Sequence, residues 1–221
     1  MSAAHRKTPS GRPRARGVGI PFPGDPGLSN AITDVGDLEV GYCTLIEGDG
    51  PLVVGKGPVR PGVTAIFPRG REKGTAPVYA GFFNMGGNGE MSGAAFIEER
   101  GRFEGPVVIT NTHSCGLARD VTAQWMTEQV AIDAKADQPF WLPVAAETFD
   151  GMLNDINGHH VTAEHVRAAL ADAHSGPVDE GNVGGGTGMT TYQFKGGSGT
   201  ASRVIDVEGS RYTVGAFVQS N

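Results

Sequence analysis

The sequence has little of what would tie it to a membrane, a disulfide scaffold or a metal. Two cysteines, Cys43 and Cys115, stand far apart among 221 residues and form no C-x-x-C pair. That spacing excludes a disulfide framework and a cysteine-based zinc site, and a reducing, cytoplasmic setting is the expectation. No run approaches the roughly eighteen apolar residues of a membrane span. Met1 to Gly17 lacks the apolar stretch of a signal peptide. H-E-x-x-H is missing, and Gly196-Gly197-Ser198-Gly199-Thr200 fails a G-x-S-x-G elbow at its last position. No metal or organic cofactor is expected. A net charge of −6 gives no reason to expect nucleic acid as a partner.

What is abundant is glycine, 35 residues, with 14 prolines spread along the whole chain. That spread points to tight turns and close backbone approaches rather than a disordered tract. Charge is unevenly placed. Arg6, Lys7, Arg12, Arg14 and Arg16 face no acid in the first sixteen residues. Residues 1–25 therefore read as a basic arm, expected to be solvated, ahead of a single α/β domain over 26–221.

Short β-rich apolar runs bounded by Gly or Pro predict strands over Leu38–Ile46, Gly62–Phe67, Val78–Phe83 and Pro106–Thr110. Helical spacing of Val121, Trp125, Val130 and Ile132 predicts a helix over Leu117–Ala136. A second is predicted over Thr162–His174, capped by Thr162 and stopped by Gly176-Pro177. Two strands, Ser202–Val207 and Arg211–Gln219, follow around a Glu208-Gly209-Ser210 turn. The last ends in apolar residues with no polar tail, so further polypeptide is expected to belong with it.

No complete catalytic set emerges from these residues. His113-Ser114 are adjacent, a poor geometry for proton transfer. His159-His160 read as loop residues. The run Gly181-Asn182-Val183-Gly184-Gly185-Gly186-Thr187-Gly188-Met189 lacks the Lys-Ser/Thr of a P-loop. It reads equally as a place where backbones pass closely and as the wall of a substrate channel. Asn84 to Gly93 is a second loop of this kind.

Several segments nevertheless resemble one family. NMGGNGEMSG at 84–93, TNTHSCG at 110–116, LPVAAETFDGMLNDIN at 142–157, GNVGGGTGM at 181–189 and TVGAFVQSN at 213–221 are similar to the DmpA-type and β-peptidyl aminopeptidases. The resemblance covers residues 17 to 221. It implies a four-layer α/β/β/α sandwich similar to N-terminal-nucleophile hydrolases, completed by a small second fragment. That fragment begins with the nucleophilic serine, whose own α-amine, with a pKa of about 8, takes the proton. The implied activity is hydrolysis of N-terminal residues from peptides, amides or esters, with β-amino acid or D-residue substrates in range. A homo-oligomer of paired fragments is also implied.

Two roles carry over onto matching positions. Asn221 closes the V-Q-x-N strand and is expected to donate to the oxyanion. Glu147 of the A-E-T motif is expected to hold the substrate's ammonium. Phe149 stands where the family has an oxyanion-assisting Tyr, and Phe donates nothing. Asn111, His113 and Asn182 are expected to shape the pocket. Acyl transfer, as in ornithine acetyltransferase-like proteins, and a non-catalytic Gly-rich interaction domain are the alternatives.

Overall fold

A computed structural model describes residues 3–133, 135 and 138–221. In chain order the elements are β1 (Glu39–Thr44), β2 (Gly62–Phe67), β3 (Val78–Tyr79), α1 (Ala94–Arg100), β4 (Arg102–Phe103), β5 (Val107–Asn111) and α2 (Cys115–Glu128). They continue with β6 (Val144–Thr148), α3 (Ala163–Asp172), β7 (Thr190–Thr191), β8 (Phe194–Lys195), β9 (Gly197–Val207) and β10 (Ser210–Ser220).

One sheet runs β1-β2-β5-β6, antiparallel except for the β5–β6 pair. That parallel pair is joined through α2, as a parallel connection requires. Its register sets Thr110 beside Glu147 and Asn111 beside Thr148. Alternation along β2 divides the sheet's two faces. Val63, Ala65 and Phe67 point to α2 and α3, where they meet Val108, Ala118, Val121, Val166 and Leu170. On the opposite face Val40 and Ile66, with Tyr42, Val107 and Ile109, pack toward Phe217 of β10. The described residues thus stack helices, sheet and the β9–β10 hairpin, in the order expected of an α/β/β/α sandwich. The hairpin's outer face leaves Tyr212, Val214 and Val218 exposed.

Glycine lets these layers approach. A methyl on Gly41 would collide with the backbone of Ala169 and Ala173 in and after α3. In the 181–189 run, Gly184 has φ of +53° and lies against Tyr42 and Thr64. A methyl on Gly185 would lie 2.7 Å from the Ile109 carbonyl oxygen and 2.5 Å from Gln219 Oε1. Of the two readings left open for this run, the close backbone approach describes Gly184–Gly186, which are buried between sheet and hairpin.

Several boundaries differ from expectation. α2 begins at Cys115, directly after a 3-10 turn over Thr112–Ser114 that Asn111 caps, its Oδ1 accepting the Ser114 N–H at 3.0 Å. It stops at Glu128 although no Gly or Pro intervenes, and Ile132 is exposed, with no core beneath it. Residues 134 and 136 of the expected helix lie outside the described residues. The expected strand over 78–83 pairs only at Val78 and Tyr79, because its partner β4 is two residues long. The 197–220 hairpin is longer at its base than the sequence predicts.

The basic arm is not solvated throughout, which corrects the expectation. Arg14 is buried and its Nη1 donates to the carbonyls of Ala4 (2.7 Å), Ser29 (3.2 Å) and Asn30 (3.0 Å). Its guanidinium also pairs with Glu180. A guanidinium with five donors can bind several carbonyls at once, and burial makes each of those bonds necessary. No helix among the described residues is long and apolar enough to cross a membrane, and Cys43 and Cys115 are both free thiols.

Candidate active site

The C-terminal end of β6 faces a cleft of about 540 Å³ lined by residues 82–91, Ala146, Glu147, Thr148 and Asn221. Segment 90–92 runs along the free edge of β6. The Ser92 N–H donates to the Ala145 carbonyl (2.8 Å) and the Glu147 N–H to the Glu90 carbonyl (3.1 Å). This pairing covers an edge that would otherwise carry unsatisfied backbone groups.

Glu147 is held at both oxygens. Oε1 accepts the Glu90 N–H at 3.2 Å, and Oε2 accepts the Thr112 hydroxyl at 2.6 Å. Both donors fix the direction of the carboxylate. Fixed in this way, it offers its remaining lone pairs to a cation in the cleft, with Phe82, Phe83, Met85 and Met91 forming apolar walls.

Asn221 reaches the same cleft from the end of β10. Its Oδ1 accepts the Phe149 N–H at 3.0 Å and its Nδ2 donates to the Phe149 carbonyl at 2.9 Å. Backbone N–H and C=O cannot exchange roles, so this double bond fixes which side of the amide is nitrogen. The second Nδ2 hydrogen has only a long contact, 3.5 Å, to the Thr190 carbonyl. Next to it, Gln219 Nε2 bonds the Thr148 hydroxyl. The end of β10 is thereby fastened across the end of β6.

Phe149 takes part through its backbone. Its ring is half exposed, and a methyl on Gly151 would lie 2.5 Å from its tip. The ring folds over Gly151. Phe149→Tyr is therefore expected to leave folding unchanged, with a stability change within about 0.5 kcal/mol; a denaturant melt checks this, and loss of soluble protein would refute it.

The other expected pocket residues lie elsewhere. Asn111 is buried below the cleft, with Nδ2 donating to Asp150 Oδ2 at 3.2 Å. His113 Nδ1 lies 3.2 Å from the Ile156 carbonyl, and its ring stacks on His159 with centroids 5.3 Å apart. Asn182 donates to the carbonyls of Thr187 and Gly196, both at 3.3 Å, and lines a separate cavity with Arg12, Arg60 and Glu180. These three residues support the glycine-rich loop and the chain around α2, and none lines the cleft. Ser114 is buried with its N–H on Asn111, so His113-Ser114 is no base–nucleophile pair.

Sequence reasoning missed Asp150. It is fully buried, and Oδ2 also accepts Asn154 Nδ2 at 3.1 Å. Oδ1 has no hydrogen-bond partner among the described residues. Burial pushes its pKa from 3.8 up to about 6, against the lowering effect of Asn154, Asn111 and the charge of His113. The folded protein thus binds this proton more tightly than the unfolded chain. The associated stability is complete below about pH 4 and lost as pH rises through 6, on the order of 3 kcal/mol. Asp150→Asn removes this dependence, so the wild type should lose melting temperature relative to the variant between pH 4 and 7. Parallel melts that keep a constant gap would contradict the assignment.

The chain was compared with known proteins. The family model for peptidase family S58 matches residues 30–221. β-Peptidyl aminopeptidase BapA from Sphingosinicella microcystinivorans is 57% identical over 209 residues, and its counterpart from Sphingosinicella xenopeptidilytica is 50% identical. Both alignments cover 95% of this chain and 51% of the relative, so the chain spans about half the length of the curated relatives it matches. Among solved structures, the L-aminopeptidase D-Ala-esterase/amidase of Ochrobactrum anthropi superposes with a TM-score of 0.88 at 53% identity. That alignment covers 95% of this chain and 58% of that one; the protein is described as a serine aminopeptidase with a variant of the Ntn hydrolase fold. A Burkholderia sp. β-aminopeptidase matches with a TM-score of 0.83 at 47% identity, covering 94% and 57%. With this fold, these identities and a family match running to the last residue, the chain belongs to peptidase family S58.

Proposed function

We propose that this chain is the larger part of a self-processed serine aminopeptidase that removes N-terminal residues from peptides, amides or esters. The observation that carries the reading is the meeting of Glu147 and Asn221 in one cleft. Glu147, fixed by Thr112 and the Glu90 N–H, grips the substrate's free ammonium. Asn221, fixed by Phe149, turns its second N–H toward the carbonyl oxygen as that oxygen gains charge.

The nucleophile is a serine at the start of a small second fragment from the same precursor. Its hydroxyl adds to the scissile carbonyl and its α-amine takes the proton. Collapse of the tetrahedral intermediate breaks the C–N or C–O bond and releases the protonated leaving group. Water then hydrolyses the acyl-enzyme. β-Peptides and D-alanyl esters and amides are the proposed substrate class, a reading supported by the names of the relatives, a β-peptidyl aminopeptidase and an L-aminopeptidase D-Ala-esterase/amidase. The second fragment covers the apolar outer face of β9–β10, and paired fragments assemble further into a homo-oligomer.

The full-length protein provides the test. Intact-mass measurement should show two fragments, the smaller beginning with serine. The preparation should hydrolyse β-alanyl or D-alanyl p-nitroanilide and spare the N-acetylated compounds, which lack the ammonium. A single uncut chain, or equal turnover of acetylated and free substrates, would overturn the reading.

A further inference from the structure

Three segments below the cleft converge on Asp150. From β5, Asn111 Nδ2 donates to its carboxylate, while Asn111 Oδ1 caps the 3-10 turn that leads into α2. From its own turn come Asn154 Nδ2 on the same oxygen and the N–H groups of Leu153 and Asn154 on its carbonyl, both at 3.0 Å. From the glycine-rich loop, Gly188 leaves room, since a methyl there would stand 3.2 Å from Asp150 Cβ and 2.6 Å from the Arg60 carbonyl. Asn154 Oδ1 in turn accepts the Arg60 N–H at 2.8 Å. Immediately before Asp150 sits Phe149, whose N–H and C=O orient the Asn221 amide.

This is an expensive arrangement for a residue with only a packing role. A fully buried carboxylate with one unpartnered oxygen is destabilising when ionised, and a neutral residue of the same shape would avoid that cost. The gain is directional. An ionised acceptor makes stronger bonds to Asn111 and Asn154 than an amide would, and these bonds fix the turn that carries Phe149.

We propose that Asp150 is a positioning residue of this site, its buried carboxylate locking the 149–154 turn so that the Phe149 backbone holds the Asn221 amide toward the reacting carbonyl. The inference rests on the reading of Asn221 as oxyanion donor. His113 bears on Asp150 electrostatically from the segment ahead of α2, and Arg60, whose backbone borders the turn, directs its guanidinium away to the Glu47 and Gly48 carbonyls and to Asp49. Burial leaves the Asp150 pKa at about 6, so acid below that value weakens the lock.

Asp150→Asn in the full-length protein tests this. The kcat for a β-alanyl p-nitroanilide should fall about 10- to 100-fold, the size of effect expected from a misplaced catalytic group, with KM little changed. Below pH 6, log kcat of the wild type should fall more steeply than that of the variant, which has no carboxylate left to protonate there. The melting temperature at pH 8 should be retained or raised. Wild-type kcat and pH profile in the variant would overturn the proposal, and so would a loss of kcat matched by a loss of melting temperature.

A stability cycle gives a readout that needs no turnover. The shift in urea midpoint caused by Asn221→Ala should be smaller in the Asp150→Asn background than in the wild type, because the two side chains share Phe149. Additive shifts would sink the coupling even in a protein with no aminopeptidase activity. Absence of turnover in the wild type, with coupling intact, would count against the proposed function alone. If Asp150→Asn does not accumulate, Asn154→Ala removes one donor to the carboxylate and takes the same measurements.

Discussion

Asn221→Ala should lower kcat for amide hydrolysis about 100- to 1000-fold, the usual cost of removing one oxyanion donor. The amide has two N–H groups and one carbonyl to place. Two of these three are committed to the Phe149 backbone, and the third meets only a 3.5 Å contact to Thr190. A group held this way needs no reorganisation when charge develops, which is the condition under which such donors contribute most. KM should change little, because the bond strengthens only in the transition state. Single-turnover release of p-nitroaniline separates this from slow product release. Asn221→Asp provides the sign test. It keeps the acceptor for the Phe149 N–H but sets a carboxylate oxygen against the Phe149 carbonyl and the nascent oxyanion, so it should be at least as damaging as alanine. An Asp variant with wild-type kcat would exclude donation from this position.

Glu147→Gln should fall most heavily on substrates with a free amine. Truncating one partner of a desolvated charge pair costs about 2–5 kcal/mol, or ~30- to 4000-fold in kcat/KM. A simple ester with no amine makes no such pair and should lose only a few-fold. Glutamine can keep both present hydrogen bonds, its oxygen on the Glu90 N–H and its nitrogen on the Thr112 hydroxyl, which accepts as well as donates, so the loss reports the missing charge. Thr112→Val leaves the charge but frees its direction, and should give a milder loss of the same selectivity. Kinetics on matched amine-bearing and amine-free esters decide the matter. Equal losses on both would remove the ammonium role of Glu147.

Legibility from sequence divides along chain distance. The Thr162 cap and Gly176-Pro177 stop around α3, the short apolar run of β2 and the Glu208-Gly209 turn are local patterns, and each produced the expected element. Helix ends were less legible, because a 3-10 turn capped by Asn111 leads into α2, which ends where burial stops. Glu147 and Asn221 stood out only through motif likeness, since a lone Glu in a strand and an Asn after one carry no signature of their own. Asp150 carried none either. Its partner Asn111 is 39 residues away, and Phe149 and Asn221 are 72 apart.

By itself, then, the sequence determined the strands, helices and glycine-lined approaches, and through its motifs the family. These depend on periodicity and on steric room, which neighbouring residues carry among themselves. Only the tertiary structure decided which polar groups meet. It buried Arg14 against Glu180, moved Asn111 and Asn182 away from the cleft, and brought Asp150 beneath the Phe149–Asn221 clamp. The reason is that a buried polar group must find its partner wherever the packed layers bring one within 3 Å or so.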